Sequence, residues 1–291
     1  MSLFSKQKKL IISGCSYTHN YCKTQKLEEF PIWGELLAEK LDMELINLSK
    51  CGFGNKAIYT TLVESMVTEK NVGLVIPMWS EFQRLSLFID TATLDHLPKR
   101  LQNPDPWRCF LPERIVLDAD WHEKFYTPPA VNPKKQGRKY DVSKVYRDRQ
   151  LDNIKNGVVE SLGYMFAFQN ISKNLNIPHL QMQGCPPCMG KDMPKEIKNY
   201  NQLGHCLIGS PYIDKFEDNF IGWPIVSTLG GFCFDTLMND AFGLKQKKAF
   251  KSFDLYFEYR ISQEDTHPNA LAHQKITELM YDTYKELYPN S

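Results

Sequence analysis

The sequence lacks any apolar run approaching the roughly 18 residues that a membrane-spanning helix requires. Its first apolar stretch ends at Gly14 after only a few residues, and residues 1–9 are polar and rich in lysine, so we predict no signal peptide and a cytoplasmic protein without a membrane partner. An excess of charge of one sign is also lacking, because the formal net charge is +1. This balance argues against a general electrostatic attraction to nucleic acid.

Cysteine is not scarce, with eight in the chain, but without a secretion signal these residues are more typical of thiols than of a disulfide framework. Cys185-Pro-Pro-Cys188 has the spacing of half a zinc site, and His205 and Cys206 follow it. Because the second pair lacks a Cys-x-x-Cys spacing, we predict two thiols in a rigid loop and no bound metal. We also predict no cofactor.

The composition and the order of predicted elements indicate the fold class. Apolar residues make up 42% of the chain and charged residues 24%, which is the balance of an ordinary globular protein. Predicted strands and helices alternate, as is typical of a parallel sheet covered by helices on both faces. We therefore predict an α/β fold in a single domain over residues 1–291. Strands are predicted near residues 10–13, 44–48, 72–78, 178–183 and 253–261, and helices from near Pro31, Asn55, Ile154 and Pro268.

Two spans interrupt this alternation, at about residues 88–150 and 184–251. The first is rich in proline and neither shows a clear periodicity, so we predict irregular insertions at the rim of the sheet. The first also holds the densest basic patch, residues 134–140, with a single tyrosine. We interpret this patch as a solvated loop that could cover a site as a lid, since nucleic-acid binding favours basic residues interleaved with several aromatics.

The first predicted strand delivers a serine to the edge of the sheet. Residues 10–18 read Leu-Ile-Ile-Ser-Gly-Cys-Ser-Tyr-Thr, so Gly14 breaks the strand and Ser16 falls in the turn beyond. Ligands bind outside the carboxyl ends of strands in open α/β sheets, which makes Ser16 a candidate nucleophile. The alternative is a simple Ser/Thr turn before a helix.

A second candidate unit lies near the other end of the chain, where Glu264-Asp265-Thr266-His267-Pro268-Asn269 precedes the last predicted helix. A serine nucleophile needs a general base, and the base needs an acid that fixes its tautomer and orientation. An acid and a histidine in one tight loop meet both needs, so His267 is the candidate base. The alternative is a histidine that only helps to cap the helix.

Gly14-x-Ser16-x-Thr18, together with the acidic loop around His267, resembles the SGNH/GDSL hydrolase superfamily. The resemblance implies a flavodoxin-like three-layer α/β/α sandwich and a serine esterase activity. In that family the amides of the nucleophile and of a glycine in a second block stabilise the oxyanion, and residues 47–52, Asn-Leu-Ser-Lys-Cys-Gly, resemble that block. Gly52 is then the candidate donor, and a glycine suits this role because a side chain would obstruct the approach to the developing charge.

The third block departs from the family pattern. The family has Gly-x-Asn-Asp after the third strand, with the Asn as a further oxyanion donor, but residues 75–84 contain no Asn. Ser80 is the candidate replacement. Phage-type members resemble this chain in a Trp-Ser/Thr run followed by an Arg, so Arg84 is a second candidate, for binding an anionic group or for a structural ion pair. The missing donor predicts a weak or specialised enzyme, or none.

The resemblance leaves the acid open. The superfamily commonly has its acid three residues before the histidine, which is Glu264 here, whereas phage-type members have an Asp two residues before it, which is Asp265. We favour Asp265. Asn55 either reaches the site or caps its helix, and His19 is a candidate for lining a substrate pocket, as is Tyr21. The thiol of Cys15 is predicted to point into the sheet.

We therefore predict a serine esterase that acts on an acyl or acetyl ester of a carbohydrate or a related small substrate. The alternatives are a catalytically silent binding or assembly module, for instance in a phage particle or the cytoplasm of its host, and a nucleic-acid-associated protein. If the two chain ends build one site, the Ser16 hydroxyl and a ring nitrogen of His267 should lie about 2.6–3.2 Å apart. Gly52 should face the same cavity.

Overall fold

The computed structural model describes residues 7–88, 107–110, 149–151, 153–188, 193–240, 257–262 and 264–290. The basic stretch 134–140 and most of the predicted insertion at 88–150 lie outside these residues. The assignment of the whole chain to one domain stays a prediction.

A parallel sheet forms the centre of the fold. The described strands, in chain order, are β1 (Lys9–Gly14), β2 (Glu44–Asn47), β3 (Val72–Trp79), β4 (Leu85–Phe88), β5 (Trp107–Phe110), β6 (Gln181–Gln183) and β7 (Phe220–Ile221). The sheet has the order β2-β1-β3-β6-β7 with every pairing parallel, and β4 and β5 form a separate antiparallel pair. Numbered by their succession in the sheet, the five strands follow the order 2-1-3-4-5 of flavodoxin-like folds, which confirms the predicted fold class.

Helices cover both faces of the sheet. They are α1 (Tyr21–Gln25), α2 (Trp33–Leu41), α3 (Asn55–Thr68), α4 (Ile154–Asn174), α5 (Met193–Ile208), α6 (Phe234–Asn239) and α7 (Ala270–Leu287). Alternate residues of β1 enter opposite layers: Leu10 and Ile12 pack with α2, α6 and α7, whereas Ile11 packs with α3, α4 and α5. Because both faces of β1 are buried, the strand reads as a continuous apolar run rather than an alternating one. The three layers are those of an α/β/α sandwich.

The register of the sheet brings the ends of three strands to one edge. Gly14 of β1 lies level with Met78 of β3, and Ile12 lies level with Asn47 of β2. Chain segments that follow these strands therefore emerge side by side, since neighbouring strands are about 5 Å apart. The turns that contain Ser16, Gly52 and Ser80 are those segments.

The span 184–251, predicted to be irregular, contains regular elements that belong to the sandwich. Helix α5 packs on the α3 side, β7 extends the central sheet and α6 packs on the α7 side. The prediction of an irregular span was wrong for these residues. Strand β7 has only two residues, Phe220 and Ile221, so it shows no periodicity. Glycines and prolines recur through this span, and they interrupt the periodicity that would reveal its elements.

The predicted last strand, residues 253–261, is also corrected where the structure describes it. Residues Phe257–Tyr259 form a 3₁₀ turn, and Arg260 makes only an isolated bridge to Pro268. The sequence suggested an edge strand because apolar and charged residues alternate there. Arg260 instead points inward to an ion pair with Asp235, so the alternation does not reflect a half-exposed strand.

Neither a membrane-spanning helix nor a metal site is found in the described part of the chain. No helix there combines the length and the apolarity that crossing a bilayer requires. The His, Cys, Asp and Glu side chains of the same residues form no group of three that could hold a metal ion. Cys185 and Cys188 are buried thiols.

Candidate active site

Ser16 lies in a tight turn directly after β1. The amides of Thr18 and His19 both donate to the carbonyl of Cys15 at 3.0 Å, so the chain folds back at once. A Cβ on Gly14 would lie 2.3 Å from the hydroxyl oxygen of Thr18, which explains why this turn needs a glycine. Cys15 points into the core, as predicted, and leaves the partly exposed Ser16 as the side chain that faces outward.

His267, near the other end of the chain, contacts the side chain of Ser16. Its Nε2 lies 2.9 Å from Ser16 Oγ, although the two residues are 251 positions apart. Its Nδ1 lies 2.6 Å from Asp265 Oδ1, and its backbone amide donates to the same oxygen at 3.1 Å. The structure thus brings the two ends of the chain together with the expected separation.

Asp265, and not Glu264, contacts His267. The exposed Glu264 carboxylate accepts a hydrogen bond from the Ser262 hydroxyl at 3.0 Å. The Ser262 oxygen in turn accepts from the amides of Glu264 and Asp265, which shapes the loop so that the Asp265 side chain turns toward the imidazole. Of the two acids left open by the sequence, Asp265 is the one with the required contact.

The protonation states of His267 and Asp265 suit a general base that is oriented by an acid. Burial lowers the pKa of His267 below its ordinary 6.5, with smaller contributions from the charges of Arg260 and Arg84, while Asp265 opposes the shift. Burial acts to raise the pKa of Asp265, but hydrogen bonds from His267 and Tyr21 outweigh it and the pKa is lowered. At neutral pH the carboxylate is charged and the imidazole is neutral. Since a carboxylate only accepts hydrogen bonds, Nδ1 carries the ring proton and Nε2 accepts.

Gly52 lies in the turn after β2, beside the Ser16 turn. The Lys50 amide donates to the carbonyl of Gly14 at 3.2 Å, and the Phe53 amide donates to the carbonyl of Lys50 at 3.1 Å. Gly52 itself has a φ of +85°, which side-chain-bearing residues rarely adopt. Among the described residues, the amides of Gly52 and Ser16 donate no hydrogen bond. These two amides are therefore available to a ligand.

Ser80 and Asn55 are not presented to the site. Ser80 is fully buried, with its hydroxyl 3.7 Å from the sulfur of Cys185. The Asn55 side chain accepts from the Ser80 amide at 2.7 Å and donates to the Ser80 carbonyl at 3.2 Å and to Ser161 Oγ at 2.9 Å. Asn55 is neither the cap of α3, which is Gly54, nor a residue that reaches Ser16. Its polar atoms instead fasten α3 to the end of β3, because a buried amide needs such partners.

Arg84 forms a structural ion pair. It is bonded to Glu81, and its Nη1 donates to the carbonyl of Phe53 at 3.3 Å. Although burial acts to lower the pKa of Arg84, the charge of Glu81 raises it above its ordinary value, so the guanidinium stays charged. Of the two roles that the sequence left open for Arg84, the structure shows the ion pair, and this pair supports the turn that contains Gly52.

Tyr21 and His19, the two candidates for lining a substrate pocket, both follow Ser16 closely in the chain. The ring of Tyr21 stacks on the ring of His267 with a centroid distance of 3.7 Å and an interplanar angle of 13°. Its hydroxyl donates to Asp265 Oδ2 at 3.0 Å. His19 is half-buried, and burial lowers the pKa of His19 as well. Sequence spacing placed Tyr21 near the nucleophile but gave no signal of its contact with Asp265.

Arg260 supports the loop that contains His267. The sequence did not predict this role. Its side chain is 1% exposed and forms a 2.9 Å ion pair with Asp235. It also donates to the carbonyl of Thr266 at 2.5 Å and to Asn239 Oδ1 at 2.6 Å. Tyr17 donates to the same Asp235 oxygen at 2.8 Å. An arginine within an apolar stretch predicts a buried ion pair, because arginine is rarely buried unless it is paired.

Replacement of Arg260 by methionine is expected to lower the free energy of unfolding by about 3–5 kcal/mol, because it leaves Asp235 buried without its counter-charge. Urea unfolding followed by circular dichroism measures the change. The exposed Arg149 provides the control, and Arg149→Met should stay within about 0.5 kcal/mol of the wild type. If both variants unfolded like the wild type, the Arg260 network would have no supporting role.

No protein-family model and no curated protein sequence matches this chain. Among solved structures, the chain is similar to the psychrotrophic esterase EstA from Pseudoalteromonas sp., with 13% identity and a TM-score of 0.39, over 97% of this chain and 100% of that one. It is similar to a variant of Axe2, an acetyl xylan esterase from Geobacillus stearothermophilus, with 11% identity and a TM-score of 0.42, over 95% and 94% of the two chains.

A third similar structure is a lipolytic protein of the G-D-S-L family from Veillonella parvula DSM 2008, with 11% identity and a TM-score of 0.40, over 98% and 100% of the two chains. Identities and TM-scores are low in all three comparisons. The fold of this chain therefore rests on its own strand order, and its candidate site rests on its own contacts. The three structures named here are two esterases and a lipolytic protein.

Proposed function

We propose that this chain is a serine hydrolase that cleaves a carboxylic ester of a small substrate. One observation carries the proposal: the unbroken contact from Ser16 Oγ to His267 Nε2 at 2.9 Å and from His267 Nδ1 to Asp265 Oδ1 at 2.6 Å. A nucleophile, a base and an orienting acid in hydrogen-bond reach of one another form the arrangement that activates a serine hydroxyl.

In the proposed acylation step, Ser16 Oγ forms a bond to the ester carbonyl carbon while its proton passes to His267 Nε2. The carbonyl oxygen becomes an oxyanion, and the amides of Ser16 and Gly52 stabilise it by donating hydrogen bonds. Collapse of this intermediate breaks the bond to the alcohol, which leaves with the proton from His267. Asp265 keeps Nδ1 protonated and stabilises the transient imidazolium.

Deacylation repeats these steps with water as the nucleophile. His267 takes a proton from the water molecule as its oxygen bonds to the acyl carbon, and it returns that proton to Ser16 Oγ when the acyl–serine bond breaks. The products are the free carboxylic acid and the regenerated serine. Proton transfer uses the same Nε2 atom in both halves of the reaction.

The narrower proposal is that the substrate is a carbohydrate that carries a short acyl group, such as acetyl. The hydroxyl of Ser80, the candidate third oxyanion donor, faces Cys185 instead of the site. Loss of one such donor costs about 10²–10³ in turnover elsewhere, so we expect a slow enzyme. Turnover of acetylated xylooligosaccharides, compared with that of p-nitrophenyl acetate and a long-chain p-nitrophenyl ester, tests the substrate class.

A fluorophosphonate probe tests the activity itself. Ser16 Oγ should form a bond to phosphorus with loss of fluoride, and mass spectrometry should find the adduct on the peptide that contains Ser16. The labelling rate should fall as the pH falls through the pKa of His267, because the protonated ring is no longer a base. Since burial lowers that pKa, the midpoint is expected below 6.5.

A midpoint well above 6.5, or an adduct on another serine, would contradict the proposed base or nucleophile. Absence of both labelling and ester turnover would favour the second candidate, a catalytically silent binding or assembly module. The observation that favours such a module is that Ser80, the candidate third oxyanion donor, is fully buried. A phage particle is the proposed setting for such a module.

A further inference from the structure

Tyr21 is held above His267 by the same turn that presents Ser16. The turn that begins at Cys15 leads directly into α1, and the Tyr21 amide donates to the carbonyl of His19 at 2.7 Å. Asn20 caps α1, since its side chain accepts from the Lys23 amide at 3.1 Å. The start of α1 is thus fixed relative to the nucleophile, and Tyr21 is its first residue.

Tyr21 contacts both His267 and Asp265, each in a different way. Its ring lies nearly parallel to the imidazole of His267, with a centroid distance of 3.7 Å. Its hydroxyl donates to Asp265 Oδ2 at 3.0 Å, whereas the other carboxylate oxygen accepts from His267. One side chain therefore restrains the plane of the imidazole and the rotation of the carboxylate.

We propose that Tyr21 is a positioning residue, which keeps the His267 ring and the Asp265 carboxylate oriented so that Nε2 faces the Ser16 hydroxyl. This inference rests on the proposed hydrolase function. Without the hydroxyl of Tyr21, Asp265 Oδ2 loses its protein partner and the carboxylate can rotate. Without the ring, His267 loses the surface that fixes its plane, and Nε2 can swing away from Ser16.

The surroundings of His267 agree with this role. Besides Tyr21, the ring faces Ser16, Asp265 and Tyr17, whose ring lies edge-on at a centroid distance of 5.7 Å. Arg260 and Arg84 contribute positive charge from further away. Burial, together with the hydrogen bond to Asp265, raises the pKa of Tyr21 to about 12, so its hydroxyl remains a donor at neutral pH. Tyr21 is the aromatic ring that stacks face to face on the imidazole.

Two substitutions separate the two contacts. Tyr21→Phe keeps the ring and removes the hydroxyl, so kcat on p-nitrophenyl acetate should fall about 2–10-fold, the value of one hydrogen bond. Tyr21→Leu removes both contacts, and kcat should fall by roughly 10²-fold, as expected for a misplaced catalytic group. Tyr281, a partly buried tyrosine on α7, is the matched control, and Tyr281→Leu should leave kcat within twofold of the wild type.

The second readout is the tautomer of His267, measured by ¹H–¹⁵N NMR of the histidine side chains with His267→Gln used for assignment. The wild type should show the neutral ring protonated at Nδ1, and Tyr21→Leu should show a mixture of both tautomers. The buried His273 and His179 serve as internal references that should not change. A residue that only stabilises the fold would lower the melting temperature without changing the tautomer.

Unchanged kcat and an unchanged tautomer in folded Tyr21→Phe and Tyr21→Leu would overturn the inference. If Tyr21→Leu does not fold, Tyr21→Phe decides, through kcat and through the pKa of His267. That pKa should rise, because Asp265 then bears more negative charge toward the imidazole. Should the wild type neither react with fluorophosphonate nor hydrolyse esters, the proposed function fails, and the tautomer measurement still decides whether Tyr21 positions His267.

Discussion

Replacing Ser16 with alanine is expected to lower the turnover of p-nitrophenyl acetate by roughly 10⁶-fold, to the level left by binding and oxyanion stabilisation alone. The hydroxyl is the group that His267 Nε2 contacts, at 2.9 Å, and among the described residues no other hydrogen bond to that nitrogen is found. Without it, no covalent intermediate can form. Initial rates at saturating ester measure the loss, with the nonenzymatic rate subtracted.

The substitution should leave the fold intact. Ser16 is partly exposed and lies in a turn outside the helices and strands, so the melting temperature of Ser16→Ala should match that of the wild type. Ser227 provides a matched control, because it is an exposed serine in a 3₁₀ turn and Ser227→Ala removes the same hydroxyl group. Turnover in Ser16→Ala equal to that in Ser227→Ala would refute the assignment of the nucleophile.

Local sequence patterns were sufficient for the elements that bury a continuous apolar surface. Leu10, Ile11 and Ile12 predicted β1, and the glycine that ends it predicted where Ser16 would lie. The resemblance of residues 47–52 to the second family block placed Gly52 after β2, whose carboxyl end lies at the same edge of a parallel sheet as that of β1. These predictions succeeded because strand burial and glycine turns are properties of a few neighbouring residues.

Contacts between distant segments were harder to predict. Asn55 looked like a helix cap or a site residue, but its amide partner is the backbone of Ser80, which only the packing of α3 on β3 brings near. Strand β7 is two residues long, and no pattern of two residues distinguishes a strand from a loop. The role of Tyr21 depends on where the other end of the chain docks, which its neighbours in sequence do not encode.

Spacing in the sequence alone did not determine which of the two acids contacts His267. Family resemblance allowed Glu264 or Asp265, one residue apart, and both precede His267 in the same loop. In the structure, the Ser262 hydroxyl distinguishes the two acids. Its oxygen accepts from the amides of Glu264 and Asp265, and it donates to the Glu264 carboxylate. With Glu264 held at the surface in this way, Asp265 is the carboxylate left to approach the imidazole.

Asp265→Asn is expected to lower kcat by about 10⁴-fold, the effect of the same substitution in a serine protease. The carboxylate now accepts from Nδ1 at 2.6 Å, which leaves Nε2 unprotonated for Ser16. An amide at this position can donate to Nδ1 instead, and the ring then carries its proton on Nε2, where it cannot accept the serine proton. Single-turnover kinetics with p-nitrophenyl acetate measure the loss in the acylation step.

Glu264→Gln is the matched control, because it makes the same change from carboxylate to amide one residue away. Its exposed side chain contacts Ser262 and not His267, so kcat should remain within about twofold of the wild type, the effect of one weakened surface hydrogen bond. Asn can keep the hydrogen bond from Tyr21 that Asp265 now accepts, but its NH2 group cannot accept from the His267 backbone amide, so Asp265→Asn should melt slightly below Glu264→Gln. An inactive Glu264→Gln beside an active Asp265→Asn would move the acid to Glu264 and require the loop to rearrange when substrate binds.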